Sequence, residues 1–269
     1  MVKKKRLDEL LVERDLIETL DKAKRVIMAG LVFSEQIRLD KPGMQVKGDI
    51  PLTVKIGNKR YVGRGGLKLE KALKYFSIDA EGKILIDIGS STGGFTDCAL
   101  QNGAKLSYAI DVGYNQLDWK LRNDKRVVVM ERTNFRYVTE DMLTLGKPNF
   151  ATIDVSFISL RLILPVLKHL LDNNSDIVAL IKPQFEAEKE QVGENGIVRD
   201  TKVHTQVVDK IIRFAITEGY DLLNLTFSPI TGGEGNIEFL AHFGWKTHRN
   251  LPVQIEEVVK DAHKTLYHQ

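Results

Sequence analysis

The sequence predicts an α/β protein, with a mostly parallel seven-stranded sheet covered by helices on both faces and a small α+β unit before it. From residue 67 onward, short apolar β-rich runs alternate with amphipathic segments, which is the pattern of strands joined by helices. Charge also divides the chain, because residues 1–60 carry 14 Lys or Arg and 9 Asp or Glu, about +5, and the remainder carries about −2. We therefore predict a small domain at 1–60, a hinge at 61–66 and a large domain at 67–269.

Helical spacing and turn formers define the elements of the small domain. A first short helix is predicted by three leucines at helical spacing, Leu7, Leu10 and Leu11. Thr19 is placed to cap a second helix, which Gly30 ends. A short strand in LVF and the turn-rich stretch KPGMQVKGD follow, and residues 48–66 read as a last strand and then the hinge.

The large domain shows seven predicted strands in order. They are ILIDI, YAIDV, VVVM, FATIDV, IVALIK, DLLNLTFSPI and NIEFLAHFGW. The predicted helices are LKLEKALKYF, LRLILPVLKHLLDNN and VHTQVVDKIIRFAITEGY. We expect the last two strands to close the sheet as an antiparallel pair.

Composition excludes several classes of protein. The chain has no apolar run of membrane-spanning length, and its basic start lacks the apolar core of a secretory signal. We therefore expect no stable membrane insertion. Cys98, the single cysteine, excludes an intrachain disulfide and a multi-cysteine zinc site, and it fits a cytoplasmic location. We expect no metal, because the histidines that could be considered are scattered: His169, His204, His242 and His248.

A glycine-rich loop follows the first strand of the large domain. It reads GSSTGG over residues 89–94, which matches neither G-x-G-x-x-G nor the triphosphate-binding G-x-x-x-x-G-K-[ST]. Asp87 ends the strand before the loop, and Asp111 ends the next strand, where a ribose diol is held in folds of this architecture. The sequence predicts a ligand site formed by Asp87, Gly89, Ser90, Ser91, Gly93, Gly94, Phe95, Asp111 and Asn134.

Four further segments carry charged residues in or beside apolar elements: GRGGLKL, TIDVSF, LIKPQFE and GGEGNIEFL. The charged residues are Lys68, Asp154, Lys182 and Glu238. Burying such groups is costly unless they are paired. A sheet that brings them together is therefore expected to use them.

These motifs resemble known families. The glycine loop with its two spaced acids resembles the S-adenosylmethionine loop of Rossmann-like methyltransferases. The order Lys, Asp, Lys, Glu resembles the tetrad of FtsJ-type ribosomal RNA 2′-O-methyltransferases. RLDELLVERDLIETLDKAKRVIMAGLV resembles the RNA-binding domain named after the fourth small-subunit ribosomal protein, with Ser34-Glu35 in place of its Asn-Gly. Nearly the whole chain resembles the TlyA family, often called hemolysin A, with Gly63 where the family has Ser.

The resemblance implies a function and a role for each candidate residue. It implies S-adenosylmethionine as cofactor, ribosomal RNA or a ribosomal subunit as partner, and methylation of a cytidine ribose. Asp87 would neighbour the loop that holds the methionine part, and Gly89, Gly93 and Gly94 would let the backbone approach the ligand. Asp111 would accept hydrogen bonds from the ribose hydroxyls, and Asn134 would lie near the adenine. Lys182 would be the general base, oriented by Asp154, while Lys68 would hold the hydroxyl and Glu238 would bind Lys68 or the ribose. RNA contacts would come from Lys22, Lys24, Arg25 and Arg64.

Three other functions compete with this interpretation. They are a membrane-lytic toxin, a non-catalytic RNA-binding protein on a methyltransferase scaffold, and a nicotinamide-dependent dehydrogenase. Taken singly, Lys68 and Lys71 could also be helix-surface lysines, and Asp154 a turn former.

Overall fold

The computed structural model of the chain describes residues 4–54 and 60–267. It separates the chain into two compact units, Met1–Arg60 and Tyr61–Gln269. Residues 48–66 were predicted to form a last strand and then the hinge, and within that stretch residues 55–59 lie outside the described residues. Each unit has its own hydrophobic core.

The first unit packs two helices against short strands. Its elements are β1 (Lys4–Arg6), α1 (Leu7–Glu13), α2 (Leu20–Met28), β2 (Val32–Ser34), β3 (Ile37–Leu39), β4 (Gln45–Lys47) and β5 (Thr53–Val54). The strands β1 and β4 pair with each other, and β3, β2 and β5 form a second small sheet. Thr19 caps α2 by accepting a hydrogen bond from the Lys22 N–H.

The second unit is built on a seven-stranded sheet in the order β11-β12-β10-β9-β6-β7-β8. The strands are β6 (Ile84–Ile88), β7 (Leu106–Ile110), β8 (Val127–Met130), β9 (Phe150–Ile153), β10 (Ser175–Ile181), β11 (Tyr220–Phe227) and β12 (Phe239–Trp245). The strands β6 to β10 run parallel, while β12 is antiparallel to both β10 and β11. The predicted α/β class and the antiparallel closing pair are confirmed.

Helices cover both faces of this sheet. They are α3 (Gly65–Phe76), α4 (Gly94–Gln101), α5 (Trp119–Arg122), α6 (Leu164–Leu170), α7 (Pro183–Glu186), α8 (Thr201–Thr217) and α9 (Ile255–Leu266). In the central strands, alternate residues enter two separate buried clusters, as Leu85 and Ile86 of β6 do. This alternation gives the strands their continuously apolar sequences, because both of their faces are buried.

The C-terminal helix α9 is absent from the sequence prediction. Its apolar residues do recur at helical spacing, at Ile255, Val258, Val259 and Ala262. It packs against α8, where the buried His204 ring bonds His263 at 2.8 Å and the Val198 carbonyl at 3.0 Å. His204 is thus a core residue that joins the two helices.

The predicted hinge at 61–66 belongs to the second unit. Tyr61 is only 4% exposed and packs in the core that contains Leu69 and Phe95. The Val62 N–H donates a hydrogen bond to Asp97 Oδ2 at 2.8 Å. Gly65 and Gly66 already form the first turn of α3.

Residues 4–54 and 60–267 contain neither a spanning helix nor a metal cluster. None of the helices described there combines the length and apolarity needed to cross a membrane. Within the same residues, no group of three or more His, Cys, Asp or Glu side chains is arranged to hold a metal ion.

Candidate active site

Two adjoining clefts open at the carboxyl ends of the parallel strands, where ligands bind in sheets of this type. One cleft, of about 350 Å³, has a mainly apolar lining and is called the apolar cleft. The other, of about 250 Å³, is lined mainly by polar atoms and is called the charged cleft. Four residues line both clefts: Gly89, Ser91, Asp154 and Ser156.

Asp111 is one of two acidic residues that line the apolar cleft, and the other is Asp154. Asp111 follows β7, and its two carboxylate oxygens accept hydrogen bonds from the Ser91 N–H at 2.8 Å and the Gly113 N–H at 2.7 Å. Each carboxylate oxygen retains a further lone pair for a hydroxyl donor. The apolar walls include Ile110, Phe135, Ile158 and Ile163. Asn134 lines the same cleft, so the structure brings it together with Asp111.

The charged cleft contains all four residues of the predicted tetrad. Lys182 Nζ lies 2.6 Å from Asp154 Oδ1. Lys68 Nζ lies 3.5 Å from Asp154 Oδ2 and 2.7 Å from Glu238 Oε2. The four side chains therefore form a row of three ion pairs with alternating charge, in the order Lys182, Asp154, Lys68, Glu238.

The sheet topology explains why residues so distant in sequence meet. Asp154 directly follows β9, and Lys182 directly follows the adjacent parallel strand β10. Glu238 directly precedes β12, which is antiparallel to β10 and pairs Phe239 with Ile181. The start of β12 therefore lies at the same sheet edge as the end of β10. Lys68, in the first turns of α3, completes the group.

Charge balance stabilises this buried group. The side chains of Lys68, Lys182, Asp154 and Glu238 are 10%, 9%, 19% and 2% exposed. Two ammonium groups and two carboxylates alternate, so each charge has a partner of opposite sign. Removing one member would leave a buried charge uncompensated, which is strongly destabilising.

At Gly89, Gly93 and Gly94 of the loop, other parts of the protein lie so close that an added Cβ would clash with them. Gly93 lines neither cleft; its φ is +94°, and a Cβ there would lie 2.2 Å from Leu121 Cδ1. A side chain at Gly93 would therefore meet Leu121 and Leu117, so packing against these two leucines requires a glycine here. Gly94 does line the charged cleft, but a Cβ there would lie 2.8 Å from the Gly66 nitrogen. Gly89 lines both clefts and lets the chain approach the Asp154 carbonyl oxygen.

Asp87 neighbours the loop, but it is buried and lines neither cleft. It accepts hydrogen bonds from the Thr96 N–H at 3.1 Å, the Thr96 hydroxyl at 2.7 Å and the Thr152 hydroxyl at 2.8 Å. Burial raises the pKa of the Asp87 carboxyl to about 6. The residue anchors the start of α4 to β6 and β9, beneath the loop.

The remaining predicted residues divide between the two units. Ser90, Phe95 and Arg64 line the charged cleft. Lys22, Lys24 and Arg25 lie on α2 of the first unit, where Lys22 forms an ion pair with Glu18 at 3.0 Å.

Three side chains near the tetrad were not singled out from the sequence. Lys182 Nζ donates a hydrogen bond to Ser156 Oγ at 3.0 Å. Gln184 Nε2 lies 3.4 Å from Glu238 Oε1, and its own buried Oε1 has no hydrogen-bond partner among the described residues. Phe157 is 89% exposed and has a φ of +63°. All three lie within the DVSF and KPQF segments, so proximity to a tetrad residue was the available signal.

The sheet order and the position of the clefts are those of the Rossmann-like methyltransferase fold. A solved S-adenosylmethionine-dependent methyltransferase from Listeria monocytogenes shares this fold, with a TM-score of 0.50, 16% identity, and coverage of 68% of this chain and 99% of that one. Residues 61–245 match the model of the FtsJ-like methyltransferase family, and the chain belongs to that family.

Relatives of higher identity match both units. YqxC of Bacillus subtilis (strain 168), named as a candidate rRNA methyltransferase, is 65% identical over 269 residues, which cover 98% of this chain and 96% of that protein. The 16S/23S rRNA (cytidine-2′-O)-methyltransferase TlyA of Mycobacterium tuberculosis is 39% identical over 264 residues, covering 97% of this chain and 98% of TlyA. A solved structure of a candidate hemolysin from Streptococcus thermophilus is 51% identical and covers 100% of this chain and 98% of its own, with a TM-score of 0.77.

Proposed function

We propose that this enzyme transfers a methyl group from S-adenosylmethionine to the ribose 2′-hydroxyl of a cytidine in ribosomal RNA. The observation that carries the proposal is the row of ion pairs Lys182–Asp154–Lys68–Glu238, which adjoins the apolar cleft that contains Asp111. The name of the TlyA relative from Mycobacterium tuberculosis supports the choice of ribosomal RNA and cytidine.

The residues of the apolar cleft fit S-adenosylmethionine. The cleft volume of about 350 Å³ lies in the range of small-molecule sites. Asp111 would accept hydrogen bonds from the ribose hydroxyls, and the apolar walls with Asn134 would hold the adenine. Gly89 and Ser91 would face the methionine part, at the junction with the charged cleft. When bound, the cofactor supplies an electrophilic methyl group.

The tetrad would supply proton removal and orientation. A ribose hydroxyl must lose its proton as its oxygen gains the methyl group, and Lys182 would accept that proton as general base. Asp154 would hold Lys182 in position. Lys68, held by Glu238 at 2.7 Å, would bind the hydroxyl and a neighbouring phosphate.

The RNA would be bound by residues of both units. Lys22, Lys24 and Arg25 on α2 would contact phosphates, and so would Arg64 at the charged cleft. The exposed ring of Phe157 offers a surface on which a base can stack. We place the reaction in the cytoplasm, on ribosomal RNA or on a ribosomal subunit.

Methyl transfer by the purified full-length protein tests this function. Ribosomal subunits from cells that lack the protein are incubated with S-adenosylmethionine carrying a labelled methyl group, and the RNA is digested to nucleosides. We expect the label in 2′-O-methylcytidine. Label on a base, or no label in either subunit or in naked ribosomal RNA, would contradict the proposal.

A further inference from the structure

Ser156 contacts the amine to which we assign proton removal. Its Oγ accepts a hydrogen bond from Lys182 Nζ at 3.0 Å. Ser156 also lines both the apolar cleft and the charged cleft. Its hydroxyl therefore lies where the proposed methyl donor and the proposed acceptor would meet.

The hydrogen bonds of Lys182 leave one direction of its amine for substrate. An ammonium group has three N–H donors. Asp154 Oδ1, at 2.6 Å, takes one of them, and Ser156 Oγ takes a second. The third is left for the charged cleft, which Lys182 lines.

We propose that Ser156 is a positioning residue that aims the lone pair of Lys182 at the ribose hydroxyl; this inference rests on the proposed function. Neutral Lys182 has two N–H bonds and one lone pair. Donation of both N–H bonds to Asp154 and Ser156 leaves the lone pair in the remaining direction. In the reaction the ribose oxygen forms a bond to the methyl carbon, the sulfur–methyl bond breaks, and the hydroxyl proton passes to Lys182 Nζ.

The residue that follows Ser156 contacts the segment that follows Lys182. Phe157 has a φ of +63°, a left-handed conformation that is uncommon for a residue other than glycine. Its ring lies 4.9 Å from the ring of Phe185, on α7 directly after Lys182. The aromatic contact thus joins the segment that carries Ser156 to the segment that carries the lysine.

Ser156→Ala tests the proposal in the full-length protein. In single-turnover methylation of ribosomal subunits from cells that lack the protein, we expect a rate about 10-fold lower, with unchanged affinity for S-adenosylmethionine. The rising limb of the pH–rate profile should move to lower pH, because the protonated amine loses an acceptor. Ser156→Thr, which keeps the hydroxyl, should stay within about 3-fold of the wild-type rate.

Ser159→Ala is the matched control, because it also removes a serine hydroxyl from this segment. The Ser159 hydroxyl donates a hydrogen bond to Glu186 Oε2 at 2.6 Å and does not contact Lys182. The melting temperature of Ser159→Ala should fall while the midpoint of its pH–rate profile stays at the wild-type value. A second measurement uses no cofactor or RNA: Lys182 is pulse-labelled with acetic anhydride across a pH series and quantified by mass spectrometry. The labelling midpoint should move to lower pH in Ser156→Ala only.

Two results would overturn the inference alone while wild-type protein still methylates RNA. One is a Ser156→Ala variant with wild-type rate and labelling midpoint. The other is equal loss of rate in the alanine and threonine variants without a change of midpoint, which would indicate a structural role. Absence of methyl transfer by the wild-type protein would contradict the proposed function itself, and the inference with it.

Discussion

Lys68 and Lys182 share one carboxylate, since their Nζ atoms lie 3.5 Å and 2.6 Å from opposite oxygens of Asp154. The two lysines come from a helix and a strand end that are far apart in the sequence. One carboxylate therefore holds the proposed base and the proposed substrate-binding lysine in fixed relation. This arrangement makes Asp154 central to both stability and reaction.

Asp154→Asn should destabilise the second unit, because it leaves two mostly buried ammonium groups without their shared carboxylate. We expect a loss of about 3 kcal/mol in the free energy of unfolding. Urea denaturation followed by tryptophan fluorescence measures this unit, since Trp119 and Trp245 both belong to it. The double variant Lys68→Met with Asp154→Asn should lose less unfolding free energy than the sum of the losses in the two single variants. Strict additivity would show that the two residues do not interact.

Asp111→Ala should weaken the binding of S-adenosylmethionine by about 10- to 100-fold, because it removes the proposed acceptor for the ribose hydroxyls. Isothermal titration calorimetry with the full chain measures the effect without RNA. Asp118→Asn is the control, because Asp118 caps α5 and Asn is an equally good cap. Equal affinity of the wild-type and Asp111→Ala proteins would remove the apolar cleft as the cofactor site.

The first unit should supply RNA affinity without affecting cofactor binding. Changing Lys22, Lys24 and Arg25 to Ala should weaken RNA binding. The slope of the logarithm of the binding constant against the logarithm of the salt concentration should become less steep, by roughly 0.7 to 0.9 for each phosphate that is no longer neutralised. Lys22 should contribute least, since it already pairs with Glu18 at 3.0 Å. The control is Lys202→Ala with Lys260→Ala, two exposed lysines on α8 and α9. An identical salt slope for the triple variant and the wild type would contradict RNA binding by α2.

Much of the fold followed from the sequence, because each strand of the second unit is a short apolar run and the runs alternate with amphipathic segments. The antiparallel closing pair was also correct. Helix α9 was missed even though Val258, Val259 and Ala262 carry helical spacing, since it follows the last strand and no further strand requires a connecting helix there. The packing roles of Gly93 and Asp87 could not be predicted, because they depend on side chains that reach them from other elements.

The contacts within the site were harder to predict from the sequence than the residues that form it. The four charged residues were identified from their positions in the motifs, and the structure brings them together. The hydrogen bond between Lys182 and Ser156 spans 26 positions, and that between Gln184 and Glu238 spans 54. Such pairs depend on which strand ends are neighbours in the sheet, and spacing along one chain does not encode that order.

Asp87 should make the stability of the second unit depend on pH. Burial raises the pKa of its carboxyl to about 6 from 3.8, so between these values the folded protein keeps a proton that the unfolded chain releases. The contribution of Asp87 is therefore fully present below pH 3.8 and is lost as the pH rises through 6. Relative to Asp87→Asn, the wild type should lose about 2 kcal/mol of unfolding free energy between pH 4 and 7. A difference between the two proteins that stays constant over this range, measured by urea denaturation, would contradict the buried titration.

The central claim is that Lys182 removes the proton from a ribose hydroxyl of ribosomal RNA. Its most direct test is mass-spectrometric mapping of 2′-O-methyl groups in ribosomal RNA from cells that lack this protein and carry a plasmid copy of one variant. We expect a methylated cytidine with the wild type and with the control Lys202→Ala, and none with Lys182→Ala. Lys182→Arg should also fail, because a guanidinium stays protonated and cannot accept the proton. Normal methylation in cells with Lys182→Arg would contradict the role of Lys182 as base, and identical maps with and without the wild-type protein would contradict the proposed function.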